Sequence, residues 1–510
     1  MPNERALEFA AQSRCVVVAA AGCGKTELIA QAVAASNHSR QLILTHTHAG
    51  VRALKDRLQR RRIDPGTYSV DTISGFSLRY ACSFPSLSRC RITEPGTTAD
   101  WTQIYEAAQE ALRHRHVRSV LSHSYSGLFV DEYQDCTVKQ HELIKLLAEL
   151  LPTRIVGDPL QGIFDFSPNE DPIVDWPRDV YPFFRRLADL QTPYRWQQQN
   201  DALGRWLTAV RMQLLSGEAF TLAPGGPVRF VELTDPRFSQ AALIRTCWTL
   251  PQNSRDSIAI IRKWPGQAHA TSKMLSGHFR SMEEVECKDL LKWCERLEAS
   301  SGIERATLLL EFALECTTKK PHCLDELIKL LRSGQLPGDR KLKNYPLLKD
   351  AVGRVVRLGD VSSLSGMLQV IENIPEVTLH RRELFREMQR VMRNHSELSG
   401  DSLRSTAWKI RDRARRVGRV VDPRVVSRTT LIKGLEFDHA IIVDVDDFQD
   451  ARNLYVALTR GAKSLTVMSS SRTVQRPAPD LLPQAMNQVL IQDALTMASL
   501  HFPGTAAKRS

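Results

Sequence analysis

The sequence predicts an α/β protein with two parallel sheets flanked by helices, each sheet domain carrying a helical insertion. Three observations predict it. Short apolar, β-branched runs alternate with helical stretches over the first 60 residues, and such alternation builds parallel sheets. The alternation returns at 127–156, and strands reappear at 228–261 and 437–469. Between those last two lies a block, Ser281 to about Val420, that is helical in pattern almost throughout.

Taken in order, Cys15–Ala20 reads as the first strand, and a glycine-containing turn leads into a helix at Lys25–Ala35. Gln41–Thr45 is a second strand and Ala49–Arg60 a second helix. Ala81–Val120 is polar and helix-like and reads as an insertion. Gly127–Val130 (strand), Lys139–Leu151 (helix) and Arg154–Val156 (strand) resume the first sheet. Val228–Leu233 and Ser257–Ile261 open a second sheet, and Phe437–Val445 and Ser464–Ser469 complete it. Breaks at Pro337, Gly338 and Gly400 punctuate the helical block between them. The expected plan is one sheet domain from 1–80 and 121–200 with 81–120 inserted. A second comes from 201–270 and 421–510 with 271–420 inserted.

Composition bounds the function classes. The 510 residues suffice for about three to five domains. With 42% hydrophobic and 25% charged residues, disordered and fibrous classes are excluded. No apolar run reaches the roughly 18 residues of a membrane-spanning helix. The run Cys15–Ala21 follows Glu4 and Glu8, so it reads as a buried strand and not a signal segment. A net charge of +12, from 69 Lys+Arg against 57 Asp+Glu, favours a polyanionic partner, nucleic acid first. Ten cysteines without a CxxC pair suit a reducing, cytoplasmic setting. Cys287, Cys294, Cys316 and Cys323 form two CxxxxxxC pairs that could hold zinc or an iron–sulfur cluster. Seven residues are also about two helical turns, so each pair equally fits a buried apolar stripe.

Three motifs carry chemistry. Ala19-Ala20-Ala21-Gly22-Cys23-Gly24-Lys25-Thr26 follows a strand and opens a helix. Small residues let backbone N–H groups wrap phosphate oxygens, Lys25 reaches the β- and γ-phosphates, and Thr26 ligates Mg2+. This cradle points to a nucleoside triphosphate. Leu128-Phe129-Val130-Asp131-Glu132 is an apolar strand ending in two carboxylates. Asp131 is placed to hold Mg2+ through water, and Glu132 to activate the attacking water. Ile155-Val156-Gly157-Asp158-Pro159-Leu160-Gln161 is another strand and polar turn, in which Gln161 can report the γ-phosphate; an ordinary β-turn fits the same residues.

The ordered set resembles the UvrD/Rep/PcrA group of superfamily 1 helicases. It comprises AAAGCGKT (19–26), LTHTHAG (44–50), DTISGFSLR (71–79), VDEYQD (130–135), VGDPLQGIF (156–164), PYR (193–195), KGLEF (433–437) and LYVALTRGA (454–462). The resemblance implies two RecA-like P-loop motor domains, ATP and Mg2+, and single-stranded or duplex DNA as partner. It implies hydrolysis-driven 3′ to 5′ movement on single-stranded DNA with unwinding of duplex. It further implies that Arg195 meets the γ-phosphate, that Arg460 is the arginine finger and that Glu436 bonds the ribose. Tyr194 would pack near adenine, and Thr45 and Thr47 would touch DNA backbone. Phe164 and Phe166 stand where the family stacks bases; two core side chains are the other reading. Where the family carries a Gln that reads adenine, this chain has Arg5.

Residues 404–424 add eight Lys+Arg around Trp408, and Arg411 and Arg415 are candidate phosphate contacts; a merely solvated face is the other reading. The 50 residues after Arg460 are too few for a fused nuclease domain. Size and motif set are similar to the helicase-like subunit of the Gabija antiphage system. That similarity implies a partner nuclease and, as an alternative, a DNA-sensing regulatory ATPase with little unwinding.

Overall fold

The computed structural model describes residues 3–36, 39–93, 95, 98–163, 171–233, 236–250, 256–283, 288–338, 342–395, 401–417 and 421–481. Two six-stranded sheets with helices against them make up the α/β fold, as the sequence predicts.

The first sheet contains β1 (Arg14–Val18), β2 (Gln41–Thr45), β3 (Tyr68–Thr72), β4 (Gly127–Val130), β5 (Thr153–Gly157) and β6 (Arg185–Arg186). Its order is β3-β2-β4-β5-β1-β6, and every pair is parallel. The inner strands β2, β4 and β5, and β1 after its first residue, are buried on both faces because helices cover both faces. Side chains alternate with period two. Val16, Leu42, Leu44, Leu128 and Val130 enter one core with the helices Ile73–Ser83, Thr98–Arg113 and Val138–Ala148. Cys15, Val17, Ile43 and Phe129 enter the other with Glu4–Ala11, Lys25–Ala35 and His48–Arg60. Residues 98–113, expected within an insertion, give Ile104, Ala108 and Leu112 to the first of these cores.

After β7 (Phe220–Thr221) come β8 (Val228–Glu232), β9 (Ile258–Arg262) and β10 (Arg280–Ser281). An antiparallel ribbon of β11 (Thr317–Lys319) and β12 (Thr378–Leu379) lies within the helical block. Then follow β13 (Arg424–Arg428), β14 (Phe437–Ile442), β15 (Gly461–Ser469) and β16 (Thr473–Val474), the last antiparallel to β7. In the second sheet successive parallel pairings give the order β10-β13-β9-β14, and β15 pairs parallel with β8.

The chain groups into two compact units, Met1–Thr234 with Asp444–Ser510, and Asp235–Val443. The second unit holds β9, β10, β13, β14 and the helical block. Its helices Lys288–Ala299, Gly302–Cys316, Pro346–Leu358, Val361–Glu372 and Arg382–Asn394 close on Leu309, Leu310, Phe312, Phe385 and Met388. Cys294 and Cys316 are buried in this core and Cys323 packs against it; Cys287 lies outside the described residues. Among the described residues no group of three or more His, Cys, Asp or Glu is placed to hold a metal ion. Cys294 and Cys316 pack there as small apolar side chains. No helix among the described residues is long and apolar enough to cross a membrane.

Candidate nucleotide-binding site

β1 feeds the phosphate loop at its carboxyl end, where ligands of parallel sheets bind. The Ala19 N–H donates to the Gly157 carbonyl at 2.9 Å, which anchors the loop to the end of β5. Gly22 (φ +69°) and Gly24 (φ +86°) take left-handed conformations that cost a side-chain-bearing residue free energy. With those turns, Gly24 caps the helix Lys25–Ala35 and its N-terminal N–H groups face the loop. Space is as restrictive as conformation, since a Cβ on Gly22 would lie 2.6 Å from the Trp196 ring. Gly22→Ala is expected to weaken nucleotide binding and to cost about 1–3 kcal/mol of stability. Nucleotide titration and thermal unfolding check both. Burial pushes the Cys23 thiol up to about 11, so it stays protonated. Buried Lys25 donates from Nζ to the Ala19 carbonyl at 3.2 Å.

The acidic end of β4 meets the loop directly. The Thr26 hydroxyl donates to Asp131 Oδ2 at 3.3 Å, and Asp131 Oδ1 accepts the Glu132 N–H at 2.9 Å. Glu132 has φ +54°, a strained value for a residue with a Cβ. This turn breaks strand alternation just past Val130, so Glu132 does not continue on the face opposite Asp131. Burial first, then the Glu132 charge, push the Asp131 carboxyl up to about 7 against the pull of Lys25. Thr26 and Asp131 set hard oxygen donors side by side and fit Mg2+, whose charge favours the ionised carboxylate.

Hydrogen bonds join this strand end to the next. Gln134 Nε2 donates to Glu132 Oε2 at 2.5 Å, while Gln134 Oε1 accepts the Asp158 N–H at 2.8 Å. Asp158, fully buried at the end of β5, accepts from Gln161 Nε2 at 2.7 Å. It also accepts both prongs of Arg211, at 2.9 and 2.7 Å.

Two further segments close around the loop. The Arg195 N–H donates to the Gly22 carbonyl at 3.2 Å, and Arg195 Nη1 donates to the Thr459 carbonyl at 2.9 Å. Trp196, buried, donates from Nε1 to the Gly461 carbonyl at 2.8 Å. The Ala21 N–H donates to the Tyr455 hydroxyl at 3.3 Å. Tyr194 is 58% exposed, and its ring lies within 3.6 Å of where a Gly24 Cβ would be. Arg460 is buried, donating from Nε to the Val456 carbonyl and from Nη2 to the Thr459 hydroxyl, both at 2.8 Å.

The structure thus joins Ala19–Thr26, Asp131, Glu132, Gln161 and Arg195 by hydrogen bonds, with the Tyr194 ring beside Gly24. Arg460 stands one residue beyond the carbonyl that Arg195 holds. Residues 3–167 match the AAA domain family. No curated protein matches the chain. Among solved structures it is similar to an Arterivirus nonstructural protein 10 helicase, at 11% identity and TM-score 0.34, over 91% of this chain and 61% of that one. A complex of Arterivirus nonstructural protein 10 with DNA matches at 14% identity and TM-score 0.26, over 50% of this chain and 49% of that one. The chain thus spans less than two thirds of either, and both likenesses are too distant to bear on function.

Within the AAA domain match, the remaining predicted residues fall differently. Thr45 is fully buried, with Gly50 packed on its hydroxyl, so its side chain is not positioned to touch DNA. Thr47 is exposed and caps the helix His48–Arg60 by accepting the Gly50 N–H. Phe164 and Phe166 lie outside the described residues. Beyond the match, Glu436 is exposed just before β14 in the second unit. Arg411 and Arg415 fall on the helix Leu403–Val417, with side chains outside the described residues. Sequence reasoning assigned no role to Gln134, Asp158, Arg211, Trp196 or Tyr455. Arg211 did leave a trace: it sits four residues after Leu207 and three before Leu214, on the apolar stripe of its helix.

Proposed function

We propose that the chain is an ATP-dependent DNA helicase or translocase of the UvrD-like type, hydrolysing ATP to move 3′ to 5′ on single-stranded DNA. The observation that carries this reading is the hydrogen-bonding of the phosphate loop and Arg195 to the 455–461 segment, with the Asp131–Glu132 pair bonded to the loop through Thr26 and to Gln161 through Gln134 and Asp158. A phosphate cradle alone suits any nucleotide binder. A cradle whose neighbours are a second arginine-bearing segment and two strand-end carboxylates suits phosphoryl transfer, where charge on the equatorial oxygens needs guanidinium neutralisation.

In this reading Lys25 and the loop N–H groups hold the phosphates and Glu132 takes the proton of the attacking water. Gln161 and Arg195 read the γ-phosphate, Arg460 supplies the finger, and Tyr194 and Glu436 hold the nucleoside. Thr26 and Asp131 hold Mg2+, which neutralises phosphate charge when bound. Thr47, Phe164, Phe166, Arg411 and Arg415 serve the DNA path, consistent with the +12 charge. The two motor domains are 1–80 with 121–200 and 201–270 with 421–510.

The test is the ATPase rate with Mg2+, with and without single-stranded DNA, together with strand separation on a forked duplex. DNA-stimulated hydrolysis with separation is expected. Stimulation without separation moves the protein to the DNA-sensing class with a partner nuclease. An ATPase indifferent to DNA overturns the proposal.

A further inference from the structure

We propose that Arg211 is a positioning residue of the nucleotide site, a buried guanidinium that holds Gln161 and Tyr455 in one arrangement against the phosphate loop. The proposal rests on the ATPase reading above.

The helix Asp201–Ser216 buries Leu203, Leu207, Val210 and Leu214, and Arg211 extends from the same side. Its side chain is only 12% exposed, and that of Asp158 not at all. A charge so placed is tolerated only when paired and fully hydrogen-bonded. The two-pronged fork onto Asp158 meets that need. Yet a fork that served packing alone would need no further connections, and this one has three.

First, Asp158 Oδ2, held by Arg211 Nη1, is also the acceptor for Gln161 Nε2. One amide hydrogen of Gln161 is thereby committed, leaving its carbonyl oxygen and second hydrogen for a ligand. Second, the Arg211 guanidinium lies 5.1 Å from the Tyr455 ring centroid, a cation–π contact. The Tyr455 hydroxyl accepts the Ala21 N–H of the phosphate loop. Third, the Asp158 N–H reaches Glu132 through Gln134. One arginine thus sits at the junction of a chain from the water-activating carboxylate, past the γ-phosphate reader, to the loop. Lysine cannot replace it, because a single ammonium does not fork onto a carboxylate.

The experiment is steady-state ATP hydrolysis with single-stranded DNA and Mg2+, read as kcat and KM, alongside thermal unfolding. Arg211→Gln and Arg211→Lys are expected to lower kcat by about 10²-fold, the cost of a small misplacement in a site, with a smaller change in KM. The double variant Arg211→Gln/Asp158→Asn removes both buried charges. It is expected to recover Tm while kcat stays low, because a neutral pair no longer fixes Gln161 and Tyr455. Arg205→Ala, on the exposed face of the same helix, keeps the wild-type rate. Recovery of kcat together with Tm in the double variant makes the role structural and overturns the proposal. So does a wild-type kcat in Arg211→Gln or Arg211→Lys. A wild-type protein that hydrolyses no ATP overturns the ATPase reading itself, a different result from an active wild type with equally active Arg211 variants.

Discussion

Glu132→Gln is expected to bind ATP as the wild type does and to hydrolyse it about 10²–10⁴-fold more slowly, the usual cost of losing a general base. The substitution keeps the shape of the side chain and removes its charge, which also relieves the upward push on the Asp131 carboxyl. Glutamine has nearly the shape of glutamate, and its backbone pays a similar strain at φ +54°. Its amide oxygen can still accept from Gln134 Nε2, so the link through Gln134 to Asp158 survives. Asp131, Thr26 and Lys25 keep their contacts, so the triphosphate grip is unchanged. What disappears is the ability to take a proton from water. Nucleotide titration and single-turnover hydrolysis separate the two steps. Loss of ATP binding would mean that Glu132 holds the loop together, and a wild-type rate would remove it from the chemistry.

How much of this was legible in the sequence depends on how far apart the contacting residues lie along the chain. The strands Gln41–Thr45 and Gly127–Val130 and the helix Lys25–Ala35 fall where the apolar runs place them, because both faces of the first sheet are covered and the strands are continuous hydrophobic stretches. β3 escaped because Tyr-Ser-Val-Asp-Thr, at the sheet edge, is half polar. β13 escaped because Arg-Val-Val-Ser-Arg adjoins a basic run and is framed by two charges. β6 and β10 are two residues each and carry no pattern at all.

The site divides along the same line. Residues whose chemistry needs a fixed local spacing announced themselves: the phosphate loop, and the carboxylates ending β4. Those that act through tertiary contact did not. Arg211 lies 53 residues from Asp158, and Tyr455 434 residues from Ala21, so no local spacing encodes either pair. Thr45 shows the opposite failure. Motif position suggested a DNA contact, but the residue ends an internal strand and is buried beneath Gly50.

Arg460→Ala is expected to lower the DNA-stimulated ATPase rate by about 10³–10⁵-fold, the range for an arginine finger. The side chain is buried, so thermal unfolding is read alongside the rate, with a stability loss of about 2–5 kcal/mol expected from the truncation. Arg460 rests on the Val456 carbonyl and the Thr459 hydroxyl, both exchangeable for a stronger acceptor when a γ-phosphate arrives. Its backbone is pinned independently. The Arg195 guanidinium holds the Thr459 carbonyl, Trp196 holds that of Gly461, and Tyr455 reaches the loop at Ala21. Removing the guanidinium leaves these three ties in place, so the expected loss in rate is one of transition-state charge. Arg460→Lys restores little, because one ammonium cannot span two equatorial oxygens. Arg195→Ala differs in kind. It breaks the side-chain tie to Thr459 that keeps the segment on the loop, so KM for ATP rises along with the loss in kcat. Steady-state kinetics of the three variants against wild type read out that division. An Arg460→Ala enzyme within about tenfold of the wild-type rate would place the finger elsewhere in the chain.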